Sequence, residues 1–394
     1  PSLLSFRAKR PKVPTLSEGI CFDALAFTTP IMKRAQAITL GVDIGGTKVA
    51  AGLVDADGTI LFQTRVPMPA RGSAVEGFAA VQSAIESVLA ARPEVRSNLT
   101  SIGICAPGPL DPASGVILNP PNVPCWRNFP LAAEIQCVFG LSARLDNDGN
   151  AAALAEALWG AGVGYRNVFY ATLGTGIGTG IVFDRRIYHG RTGSAAEGGH
   201  VTIDYHGPKC GCGKRGCIEA LCSGPAIARR AKERLLNSPP SKSLTSESPR
   251  SESQSPESQR SESQSTKSQT AKSLRAEPGE PGGKILALAG GNPDAINAEI
   301  VAEAYREGDP LAAEVLRETA DLLAVWAGNV IDLLEPDVFI FGGGLSQLMS
   351  SFFPRIREQL PNWCVNQRFA EIPLLLAKYG SDAGIAGAAA LCRS

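Results

Sequence analysis

The chain has 394 residues, long enough for two compact lobes, and its 38 basic and 38 acidic residues cancel. That balance leaves no overall field to draw the protein to nucleic acid or an anionic membrane, and no stretch reaches about 18 uninterrupted apolar residues, so a soluble protein handling small ligands is expected. Ten cysteines, with Cys210, Cys212 and Cys217 crowded into eight positions, speak for a metal site in a reducing, cytoplasmic setting over a disulfide framework.

Residues 1–37 carry Pro11, Pro14 and Pro30 without a sustained period and read as an unstructured extension, with Met32-Lys33-Arg34 as the expected natural start. From Ile38 the pattern changes. Strands are predicted at 38–44, 48–54 and 59–66, the last two joined by the turn Asp55-Ala56-Asp57-Gly58 in an antiparallel meander. Helical spacing of Val75, Phe78, Val81, Ile85, Val88 and Leu89 follows over 75–91, then a short buried strand at 101–105, and together these define a small α/β lobe over 38–146. A larger, more helical lobe is expected over 147–381: strands at 168–173 and 180–183 bracket a glycine loop, and helices are predicted at 227–236, 295–307 and 311–334. A C-terminal helix at about 382–394 should pack back on the small lobe. Residues 237–283 are almost entirely Ser, Pro, Glu, Gln, Lys and Arg, and such a segment cannot offset its ordering entropy by burial, so a disordered, catalytically neutral insertion is expected.

Three glycine turns each follow an apolar strand. In Asp43-Ile44-Gly45-Gly46-Thr47-Lys48 the glycines let backbone amides approach an anion, and the carboxylate could hold Mg²⁺ through water; the spacing is not that of a Walker loop. In Gly174-Thr175-Gly176-Ile177-Gly178-Thr179-Gly180 threonine occupies position 179, where the dinucleotide fingerprint needs glycine, which disfavours a Rossmann oxidoreductase. Gly342-Gly343-Gly344 closes the apolar run 338–341. Each is, alone, an ordinary turn.

His200, Cys210, Cys212 and Cys217 supply one imidazole and three thiolates, a full tetrahedral set for structural zinc, although C-x-C-x₄-C is not the usual C-x-x-C spacing and leaves unligated reduced thiols open. Asp148 stands before an alanine-rich helix, where an aspartate is also a common N-cap. Cys105, Cys137 and Cys222 lie in apolar stretches and read as small core residues.

Taken in order, DIGGTK at 43–48, DNDGNAAALAE at 146–156, GTGIGTG at 174–180, EGGH at 197–200, CGCGKRGCIE at 210–219 and FGGG at 341–344 resemble the ROK family of repressors, open reading frames and kinases. The likeness runs from about Ile38 to Leu391, interrupted by the insertion. It implies an α/β actin-like ATPase (ribonuclease H-like) fold of two lobes that uses ATP and Mg²⁺, carries structural Zn²⁺ in the loop 197–219 and forms a homodimer. By the same resemblance Asp148 is the catalytic base; Asn122, Asn147, Asp148, Glu197, His200 and Glu219 hold the sugar, and His200, Cys210, Cys212 and Cys217 hold the zinc. Asp43, Gly45, Gly46, Thr47, Lys48, Gly174, Thr175, Gly176 and Gly178 attend the phosphates, and Gly342, Gly343 and Gly344 the adenosine. Thr179 departs from a family glycine, which touches the fine geometry of the second phosphate loop. Similarity over 190–230 puts glucose first as substrate, ahead of N-acetylglucosamine, N-acetylmannosamine and fructose. A sugar-responsive repressor is the rival, though family repressors carry a winged helix-turn-helix before the first glycine motif, which here begins at Asp43.

Overall fold

β1 (Ile38–Ile44) is buried along almost its whole length and takes partners on both sides, the pattern of a central strand. The computed structural model describes residues 38–237 and 281–393; the predicted N-terminal extension and nearly all of the predicted insertion lie outside them. β2 (Lys48–Val54) and β3 (Ile60–Pro67) run back and forth beside β1, and the turn between them closes where Asp55 Oδ1 accepts the amides of Asp57 and Thr59. α1 (Ala74–Ala91) starts on a Ser73–Glu76 capping box and lays Val81, Ala84, Ile85 and Val88 on β2 and β3. By length and mean hydropathy α1 could cross a bilayer, but here its apolar stripe is core and its other face carries Glu76 and Glu86.

β4 (Leu99–Ala106) pairs parallel with β1; after the small hairpin of β5 (Leu110–Asp111) and β6 (Val116–Ile117), α2 (Leu131–Phe139) leads to β7 (Ser142–Asn147), parallel to β4. Leu131 and Ile135 turn α2 inward, so Cys137 faces out and is exposed, not a core residue as its apolar neighbourhood suggests. The sheet order is β3-β2-β1-β4-β7.

α3 (Asp148–Trp159) then crosses to a second sheet, built from β8 (Asn167–Leu173), β9 (Ile177–Phe183) and β10 (Arg186–Ile187). After α4 (Ile218–Cys222), α5 (Gly224–Asn237), α6 (Gly283–Leu288), α7 (Ala298–Arg306) and the long α8 (Pro310–Leu334), β11 (Val338–Gly342) pairs parallel with β8. α9 (Ser346–Met349) and α10 (Phe353–Gln359) precede β12 (Leu374–Leu376), and α11 (Ala383–Ala390) is the last helix. The order β10-β9-β8-β11-β12 repeats that of the first sheet: a central first strand, a meander on one side, parallel strands on the other.

β9 begins at Ile177, not Gly180, so the glycine-rich segment shrinks to a turn at 174–176 and Gly178 becomes a strand residue facing Thr172. Gly180 is glycine because the first turn of α3 passes over it: a Cβ there would lie 2.4 Å from the Gly149 carbonyl oxygen. The same device seats α11 on β1 and β4. Cβ atoms on Gly41 and Gly103 would fall 2.1 Å from the Ile385 oxygen and 1.7 Å from that of Ala388. Each sheet has its own core, one around Trp126 and Ile85, the other around Trp326, Phe169 and Phe339.

Candidate active site

The first sheet delivers two carboxylates. Asp43, near the end of β1, accepts a 3.5 Å bond from Cys105 Sγ; burial raises its pKa, against the lowering effects of Cys105, Lys48 and Arg65. The hairpin that follows is closed by Gly45 N–H on the Lys48 carbonyl, and Lys48 itself is exposed. At the end of β7, Asn147 caps α3 by accepting the Gly149 amide at 2.9 Å. The capping role is therefore taken, and Asp148 is the first residue of the helix, its Oδ1 sharing the Gly149 amide at 2.8 Å. Solvent reaches its side chain, yet protein atoms crowd it on most sides. That crowding, ahead of repulsion from Asp43 and Glu197, pushes the carboxyl up to about 6 against the pull of the Gly149 amide.

The second sheet delivers backbone. Its equivalent hairpin turns at 174–176, where Glu219 Oε2 accepts the Ile177 amide at 3.0 Å and Gly174 O receives the Gly224 amide. A Cβ on Gly176 would sit 2.6 Å from Glu219 Oε2, so the carboxylate packs directly under the turn. Of the glycines after β11, Gly342 is buried against the Tyr170 hydroxyl and Gly343 has φ 83°, while Gly344 opens on a cavity of about 1190 Å³. That cavity is walled by Asn297, Tyr305, Leu345 and Leu348, and it reaches Thr175. A second cavity of about 790 Å³ is bordered by Gly46, Thr47, Arg71, Asn122 and the same Thr175. Thr175 thus joins a chamber wide enough for a planar base to the region between the two hairpins.

His200, Cys210, Cys212 and Cys217 bring one ligand atom each within 4.8 Å of the others. Cys212 Sγ and Cys217 Sγ are 3.7 Å apart and Cys210 Sγ lies 3.6 Å from His200 Nδ1, close to the edge of about 3.8 Å that tetrahedral zinc with Zn–S bonds of about 2.3 Å would set. The donor set and spacing fit a closed structural ion. His200 Nδ1 faces the thiols and Nε2 points toward Glu197 Oε2 at 4.0 Å. Glu219 Oε1 lies 3.8 Å from His200 Nδ1, so this one carboxylate touches both the metal cluster and the second hairpin.

The structure brings Asp43 and Glu197 each within electrostatic reach of Asp148, and Gly46, Thr47, Asn122 and Thr175 around one cavity. Gly178 and Gly342 lie away from it, inside strands. Two contributions escape the sequence reading. The wall of the larger cavity comes from α7 and α9, whose faces no motif marks. Thr179, singled out as a departure, is buried, donates its hydroxyl to Ala196 O and accepts the Gly198 amide at 2.8 Å, so it grips the chain on either side of Glu197.

Two sheets of one topology, with carboxylates on one and glycine turns on the other, define a protein of the actin-like two-lobe fold. The chain belongs to the ROK family, which matches residues 39–394. It is 35% identical over 363 residues to a glucokinase of Streptomyces coelicolor, covering 91% of this chain and 98% of that one. A ROK glucokinase of Streptomyces griseus, solved in complex with glucose and AMPPNP, superposes with a TM-score of 0.68 at 32% identity, covering 90% of this chain and 99% of that one. A xylose repressor of Bacillus subtilis is 30% identical over 209 residues, 52% of this chain and 54% of that one.

Proposed function

We propose that the protein is an ATP-dependent hexose kinase with glucose as its first substrate, giving ADP and glucose 6-phosphate. The observation that carries this reading is the Asp148 carboxylate at the start of α3, faced by Asp43 and Glu197. With its pKa near 6 it is mostly ionised at neutral pH, yet basic enough to orient a sugar hydroxyl and accept its proton late in a loose transition state. Full-length similarity to glucokinases supports the choice of sugar.

The base of ATP fits the cavity of about 1190 Å³, and its phosphates pass Thr175 toward the two hairpins, where the turns at 45–47 and 174–176 receive them on backbone amides other than those of Gly45 and Gly174, which close the hairpins. Asp43 would hold Mg²⁺ together with those phosphates; bound there, the ion neutralises charge on the transferred group. Asn147 spends its side-chain oxygen on the α3 cap, leaving its amide nitrogen as a donor to the sugar beside Asn122, Glu197 and His200. His200, Cys210, Cys212 and Cys217 would hold zinc as a structural ion that orients the His200 ring and fixes the loop behind Glu197 and Glu219. Closure of the lobes would exclude water as a competing acceptor.

ADP release across a panel of glucose, fructose, N-acetylglucosamine and N-acetylmannosamine, with wild type and Asp148→Asn, tests the proposal. Glucose turnover by wild type and its collapse in the variant is the expected result; equal turnover by both removes Asp148 as the base.

A further inference from the structure

Behind the catalytic turn lies a third cavity of about 760 Å³ whose features the reaction above does not use. Among the residues that line it, Asp146 is the one acid, set among Arg144, Arg186 and His189. Its side chain is 4% exposed and fully engaged: Oδ1 accepts the Asn147 amide at 2.7 Å and the Asn150 side-chain amide at 3.0 Å, and Oδ2 meets His189 Nε2 at 2.6 Å. Asp146 therefore bonds the backbone of the residue next to Asp148 and the first turn of α3. His189 opens the loop that ends at Glu197, and its carbonyl accepts the Ala195 amide. Downstream, Thr179 holds that loop on both sides of Glu197. The loop has one anchor on the second sheet and one on the end of the first.

We infer that the Asp146–His189 pair is a positioning latch, which ties the loop carrying Glu197 to the turn that presents Asp148 so that the base and the sugar ligand keep one register. The inference rests on the kinase reading, and it assigns His189 and Asp146 no contact with substrate. A charged imidazole makes the stronger bond to a buried carboxylate. The bond to Asp146 raises the His189 pKa, against the opposing effect of burial. The other polar groups that line the cavity with His189 are Arg144 on β7, Arg186 on β10, Gln136 on α2 and Ser114 between β5 and β6, and Asn150 on α3 shares the Asp146 carboxylate. With the folded pKa raised, the latch is whole below the ordinary histidine range and loosens as pH rises through the folded value.

The test compares wild type, His189→Leu, His189→Arg and Asp148→Asn as full-length enzymes, measuring kcat, both KM values and pH profiles. Misplacing catalytic groups by about 1 Å costs on the order of 100-fold, so His189→Leu should lower kcat by about 10- to 100-fold while KM for ATP stays within about two-fold of wild type. His189→Arg, for which the open cavity leaves room, should restore most of kcat and remove the alkaline decline expected of wild type. The latch is refuted if His189→Leu is as fast as wild type, if His189→Arg is as slow as His189→Leu, or if KM for ATP rises in step with the loss of kcat. Should His189→Leu fail to fold, the profiles of wild type and His189→Arg decide alone: an alkaline limb shared by both overturns the inference. Turnover in Asp148→Asn equal to wild type would instead remove Asp148 as the base, and with it the register that the latch is inferred to keep.

Discussion

The two sheets share one strand order, yet they bring opposite chemistry to the cleft. The first ends its strands in side-chain charge, Asp43 near the end of β1 and Asp148 after β7. The second ends its strands in bare backbone, the turn 174–176 after β8 and Gly344 after β11. Both copies can therefore offer hairpin amides to the anion, since a hairpin turn exposes them whatever the flanking side chains do, while the first copy alone adds the carboxylates for the proton and the metal. The zinc-ligand set belongs to neither sheet and joins the second through Glu219.

The largest break in that division should come from Asp148→Asn, which removes the proton acceptor and leaves every amide in place. General bases contribute about 10²- to 10⁴-fold, so kcat should fall by that much in an ADP-release assay with KM for ATP little changed. Next, Cys212→Ser, or a strong chelator, should release the ion read out by metal analysis and raise KM for glucose by about 10- to 100-fold, the cost of about 1–3 kcal/mol for a displaced polar contact. KM for ATP should rise less; an equal rise would show that Glu219 carries the metal's influence into the second hairpin. Gly174→Ala sharpens the other half. A Cβ there meets no atom within 4 Å, so its thermal midpoint should match wild type. If the phosphates approach that backbone closely, KM for ATP rises about ten-fold, or about 1.4 kcal/mol.

The pH profile offers a smaller effect. Because the Asp148 pKa is raised to about 6, kcat/KM should climb with pH through that value, ahead of the alkaline decline expected from the His189 latch, with the acid limb absent from the residual activity of Asp148→Asn. Least of all, replacing residues 238–280 by a short linker should leave kcat within about two-fold, since loop length enters closure entropy only logarithmically.

Much of the first sheet was legible because its strands are apolar runs broken by glycine turns, and Asp43 and Asp148 stand at the breaks. β7 was harder: Ser142–Asn147 buries only Leu145 and Asp146 well, and no period of two announces it. The zinc-ligand set could be named from residue types, but its closure depends on a loop that brings His200 back to Cys210 across ten positions. The latch had no signal at all, since Asp146 and His189 are 43 positions apart, Asp146 sits in a motif read for another reason and His189 in none. Thr179 shows the converse. Its departure from glycine was visible, but its use became clear only when both of its bonds, to Ala196 and Gly198, were in view.

The helix α11 lies in a groove that Gly41 and Gly103 keep open, and it follows every other described element along the chain. A ribosome making this protein releases β1 early and α11 late, so the face of β1 that the helix covers waits, uncovered and apolar, while most of the polypeptide emerges. The first of the described strands to be made is among the last to be finished, and a nascent chain stalled short of residue 383 would present that groove to any chaperone within reach.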